Sequence, residues 1–158
     1  SIQSADLATG VGGKILKFAQ VSTGTLLDLS SISSMTDLTD LSISFTPISA
    51  SSSLWIQAIL SMRFKGSTSE YGYMAAQIVD GSTVLQEEQH HYRGYAQGGV
   101  GTGIILHTDT STITGYVAST GSTNARTIKA QAKGTGSTEL KMNGSTGYSF
   151  LSIMEIAA

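Results

Sequence analysis

The chain has 158 residues and a mass of 16.4 kDa, the size of one ordinary domain. Charged residues make up only 13%, and polarity comes instead from 24 Ser, 19 Thr and 18 Gly. A hydrophobic content of 40% excludes a disordered chain. A net charge of −2 without a basic cluster argues against a nucleic-acid partner. The absence of Cys excludes disulfide frameworks, thiolate metal sites and cysteine nucleophiles.

Residues 1–13 are small, polar and punctuated by Gly10, Gly12 and Gly13, with Ile2, Leu7 and Val11 as isolated apolar residues. No basic stretch followed by an apolar run is present, so the segment does not read as a signal peptide. It reads either as a disordered terminus or as a short extended N-terminal arm ordered on a neighbouring subunit, able to span roughly 40 Å at ~3.3 Å per residue. Ile2, Leu7 and Val11 are its candidate contacts to a neighbouring chain.

Residues 14–158 read as one body in which a period of two dominates. Leu41, Ile43 and Phe45 alternate with Ser42, Ser44 and Thr46 until Pro47, which cannot donate to a sheet ladder. Leu54, Ile56, Ala58, Leu60, Met62 and Phe64 form a long apolar row. The opposite face, with Trp55, Gln57, Ile59, Ser61 and Arg63, is only partly polar and is expected to meet something other than water. Further strands are expected at 14–21, 25–32, 71–79, 83–90, 103–108, 111–118, 125–132, 139–142 and 148–156. Asp80-Gly81 marks a hairpin. The Gly/Ser/Thr/Asn clusters at 121–124, 134–137 and 143–146 mark loops. The segment 33–40 has room for one helical turn. No apolar stretch approaches the ~20 residues that a membrane-spanning helix needs, so no membrane insertion is expected. Ten or eleven short strands argue for an all-β, antiparallel β-sandwich or jelly roll.

The titratable residues build no reactive site. His90 and His91 follow Glu87 and Glu88 at a strand end, and a metal site would need a third ligand such as His107 or Asp109 at a geometry that nothing fixes. No G-x-S-x-G elbow is present, the glycines of 98–103 lack a P-loop Lys, and the Asp37/Asp40 and Glu87/Glu88 pairs are ordinary neighbours. We therefore expect no enzyme, no metal and no cofactor. Tyr71, Tyr73, His90, His91, Tyr92, Arg93 and Tyr95 are a candidate recognition or subunit-interface surface, because Tyr, His and Arg give large contact area at low entropic cost; β-propensity alone would equally explain Tyr71 and Tyr73 as half-buried sheet residues.

Two regions carry a resemblance. Gly13-Lys14-Ile15-Leu16-Lys17-Phe18 leads to Leu41-Ser42-Ile43-Ser44-Phe45-Thr46-Pro47 and then Ser51-Ser52-Ser53-Leu54-Trp55-Ile56. Near the other end stand Thr127-Ile128-Lys129-Ala130-Gln131-Ala132 and Phe150-Leu151-Ser152-Ile153-Met154-Glu155-Ile156. This pattern resembles tailed-phage virion proteins over most of residues 13–156 in outline, and most closely in these segments. The resemblance implies a jelly roll like the tumour-necrosis-factor-like and complement-C1q-like modules, assembled as a homotrimer on the virion. Two roles follow from it. A complete chain of this length, with only a short arm, fits a capsid decoration (cement) protein that binds the major capsid protein of the phage head. A fragment fits a tail-fibre tip that binds a host receptor or glycan. A third reading, independent of any virus, is a carbohydrate-binding β-sandwich.

Overall fold

Wherever apolar and polar residues alternate, the chain is extended. The computed structural model describes residues 14–67, 71–93, 104–136, 139–143 and 147–158. Its strands are β1 (Ile15–Thr23), β2 (Leu27–Asp28), β3 (Thr36–Phe45), β4 (Ser53–Ser67), β5 (Tyr71–Asp80), β6 (Thr83–Arg93), β7 (Ile104–Val117), β8 (Arg126–Gly136), β9 (Glu139–Met142) and β10 (Ser149–Ile156). No helix occurs among the described residues.

Three expectations change. The segment 33–40 is not helical, because β3 begins at Thr36. Leu38 and Leu41 are both buried three residues apart, a spacing that imitates a helical turn, but a register irregularity between Asp37 and Ser42 accommodates it inside a strand. The strand expected at 25–32 shrinks to Leu27–Asp28, because the Asp28 carboxylate accepts the Ser30 amide (2.9 Å) and hydroxyl (2.6 Å) and turns the chain. The strands expected at 103–108 and 111–118 are one, β7.

All pairings are antiparallel, and the long strands pair as a nest: β1 with β10, β3 with β8, β4 with β7, and β5 with β6. Two sheets result. One has β1, β10 and β4 side by side, with β7 on the far edge of β4; the other runs β3-β8-β5-β6. Strand β4 exceeds the length of β10 and changes partner on that side, pairing β10 over Ser53–Ile59 and the short β9 over Met62–Lys65. The change occurs at Ser61, whose amide donates to Ser149 Oγ (3.0 Å) and whose carbonyl accepts from the Asn143 amide (3.0 Å). Asn143 makes the turn at a positive φ of 55°, which Asn tolerates better than most residues. In the β5–β6 hairpin only Gly81 has a positive φ (59°), and Asp80 remains the last paired residue of its strand.

The core lies between the sheets. Phe45, Leu54, Ile56 and Ile153 are fully buried, as the alternation requires, together with Leu41, Ile78, Ile113, Ile128 and Leu151. Ile56 sits on the central strand β4, between β10 and β7. Ile56→Ala should therefore cost ~2–5 kcal/mol in urea unfolding, whereas a loss below about 1 kcal/mol would mean that the two faces of β4 are exchanged.

Candidate functional site

The outward positions of the first sheet line up across strands. Phe18, Met154, Trp55 and Tyr116 are successive register partners and form an apolar row over β1, β10, β4 and β7. Gln20, Ser152, Gln57 and Thr114 form the next row, and Ser22, Phe150, Ile59 and Thr112 the third. These twelve positions carry no charge. Phe18, Trp55 and Tyr116 are 56%, 46% and 57% exposed, although all three are large and apolar in body. Between the rows lies a shallow hollow of about 410 Å³, bounded by Phe18, Trp55, Ile59, Phe150 and Met154 with the polar row across it. Charge returns beyond Ser61, where Arg63 and Lys141 are register partners and Lys141 helps to lower the pKa of Asp28, after the Ser30 hydroxyl and amide.

The outer face of the second sheet is different. Gln77 Nε2 donates to Gln131 Oε1 (2.6 Å), Gln131 Nε2 to Asp37 Oδ1 (2.7 Å), and Lys129 Nζ to Asp37 Oδ2 (2.6 Å). These bonds, that from Gln131 first, hold the Asp37 carboxyl below its usual pKa. A ladder of satisfied polar groups suits contact with water. An uncharged aromatic face on the central strands of a sheet suits a protein contact, since interface cores lose charge and gain aromatic residues. The outward positions of β4 already pointed there in the sequence; the contributions of Phe18, Phe150, Met154 and Tyr116 needed the pairing.

The expected recognition residues meet at one end of the second sheet. Tyr71 is the register partner of Arg93, Tyr73 of His91, and Met74 of His90, so two clusters distant in sequence share one stretch of the β5–β6 ladder. Tyr73 is half-buried. The side chains of Tyr71, His90, His91, Tyr92 and Arg93 lie outside the described residues, as do Tyr95 and the arm residues Ile2, Leu7 and Val11. His107 and Asp109 are on β7 in the other sheet, as register partners of Phe64 and Met62, whereas His90 and His91 are on β6. Asp37 and Asp40 are no carboxylate pair: Asp37 joins the Gln131–Lys129 ladder, and Asp40 accepts hydroxyls from Thr23 and Thr25.

Sequence reasoning missed Glu155, whose side chain is completely buried. It accepts the Ile48 amide (2.8 Å), the Ser49 amide (3.1 Å) and the Ser52 hydroxyl (2.6 Å), fixing the loop that follows Pro47. Thr120 extends the network by donating its hydroxyl to Ser49 O (2.6 Å) and its amide to Ser52 O (2.8 Å). Arg126 of the second sheet then donates to Thr120 O (3.1 Å) and pairs with Asp80. Burial raises the Glu155 pKa. The Ser52 hydroxyl, the two amides and nearby Lys17 outweigh that effect, leaving it below the usual value. Lys17 is held close by its own bond to Thr46 O (2.8 Å) and its position over the Phe45 ring. No protein-family model matches the chain, and no curated protein matches it in sequence.

Proposed function

We propose that this chain is a structural module of a phage virion, a jelly roll that works as a homotrimer and decorates the head by binding the major capsid protein. The observation that carries the assembly is the uncharged face of Phe18, Trp55, Phe150, Met154 and Tyr116 on the first sheet. A ring of three copies covers such a face with chemically matching surface, and closed symmetry stops the assembly at a defined size. The nested strand pairing, first with last and inward to the β5–β6 hairpin, is the winding expected of a jelly roll and supports that part of the reading. The segments that resemble virion proteins support the location.

A tail-fibre tip is the second reading. It is favoured by the β5–β6 ladder, which places the Tyr71–Tyr73 and His90–Arg93 segments side by side. Light scattering of the purified protein, alone and with undecorated heads, tests both. A particle of three times 16.4 kDa that joins the heads supports decoration. A trimer that ignores heads and binds host cells or glycans moves the assignment to the tip. A stable monomer overturns the assembly on which both rest.

A further inference from the structure

A second hollow lies away from the aromatic face, beside the irregular part of β3. Between Asp37 and Ser42 the β3 register shifts, and Asp40 turns toward the end of β1. There its Oδ2 accepts both the Thr23 hydroxyl (2.9 Å) and the Thr25 hydroxyl (3.1 Å). Its Oδ1 has no hydrogen-bond partner, and no cation pairs with the carboxylate, among the described residues. Asp40 lines a hollow of about 60 Å³ whose inner wall is the buried Leu38 and Met142, together with Leu27. Asn143 also lines it, but its side chain is committed: Nδ2 donates to Thr25 O (3.0 Å) and Oδ1 accepts the Ser149 hydroxyl (2.7 Å).

We propose that this hollow receives a primary ammonium on a straight alkyl stem, the tip of a lysine side chain. At ~10–15 Å³ for each water-sized group, its volume holds about four to six heavy atoms, which matches a lysine tip. The apolar wall suits methylene groups, and a carboxylate with one uncommitted oxygen suits one ammonium. A guanidinium fits poorly, because its fork needs both carboxylate oxygens and two threonines already hold one. A divalent cation fits poorly as well, since calcium takes 6–8 oxygen ligands and Asp40 is the only charged side chain lining the hollow among the described residues. An anion is repelled. A strand irregularity that turns one carboxylate out of the ladder is a common way for a sheet to aim a functional side chain.

This inference does not depend on the trimer. It is tested by amide NMR of the whole chain, titrated with Nα-acetyl-lysine methylamide, its norleucine analogue and its arginine analogue. The lysine compound should give saturable shifts at Thr23, Thr25, Leu38 and Asp40 at about millimolar concentration, with the other two weaker by about tenfold or more. Asp40→Asn should remove the difference between lysine and norleucine. Equal binding of norleucine and lysine, or no saturation, overturns the proposal with the natural protein alone, whether or not the variant folds. A well-folded Asp40→Asn that still prefers lysine overturns it too. If the unliganded protein shows the same shifts on concentration, a second copy supplies the lysine; if only the added compound produces them, the natural source is another polypeptide. Both results support the site.

Discussion

Gln57→Lys should turn the proposed trimer into folded monomers. Gln57 lies in the middle of the three outward rows, flanked across the strands by Ser152 and Thr114. In a lone subunit a lysine at this half-buried outward position reaches water with its ammonium, and a surface polar exchange of this kind usually changes stability by less than ~0.5 kcal/mol. In a trimer sealed through this face, three such charges are stripped of water and repel one another. Each buried unpaired charge costs about 3–5 kcal/mol, enough with three copies to dissociate the assembly at micromolar concentration. The mass by light scattering should fall from three times 16.4 kDa to a single chain, with the β-sheet circular dichroism unchanged. Gln131→Lys is the control on the other sheet, where Asp37 stands ready to pair with it, and its mass should not change. A Gln57→Lys protein that remains trimeric would place the subunit contact elsewhere, and the aromatic rows would need another partner.

What the sequence reveals about this fold depends on whether a pattern is local. The strands β4 and β10 are legible because each alternates cleanly over eight or more residues, and β3 because it does so over its second half, Leu41 to Phe45; one face of each goes to the core. Leu38 and Leu41 mislead, because a bulge places two buried residues three apart and so mimics a helical turn. The short extent of β2 is set by one Asp28–Ser30 turn, which hydrophobic spacing does not register. The candidate assembly face is half legible. Trp55, Gln57 and Ile59 stand out as an incompletely polar face, but the rows that they form with Phe18, Phe150, Met154 and Tyr116 come from four strands far apart in the chain. Register creates those rows, and alternation alone does not supply it. The Asp40 hollow is not legible at all, since it requires the bulge, the end of β1 and the turn at Asn143 together.

Glu155→Ala should be among the more damaging single substitutions in the chain, at about 2–4 kcal/mol, because it takes the acceptor from two part-buried amides and leaves the buried Ser52 hydroxyl with Ser49 O alone. The position carries a warning in the sequence: Glu155 is in phase with Leu151 and Ile153, the buried residues of β10, so its carboxylate must enter the protein. It ends where the loop after Pro47 crosses the edge of the sandwich, and through Ser49, Ser52 and Thr120 it links the first sheet to Arg126 and Asp80 of the second. Glu155→Gln keeps one acceptor oxygen but turns an amide toward donors, so its cost should be smaller, about 1–3 kcal/mol. The pH dependence separates this bonding from simple packing. A carboxyl whose folded pKa is lowered contributes stability that is complete above its unfolded value of about 4.3 and is lost as pH falls through the folded value. Urea unfolding of the natural chain at fixed protein concentration should therefore weaken steeply below about pH 4. The Glu155→Gln chain should weaken less steeply, retaining the part of the slope that Asp37 and Asp28 contribute. If both chains lose stability in parallel, and the substitution costs under about 1 kcal/mol at neutral pH, the carboxylate is not what holds the two sheets together at this end.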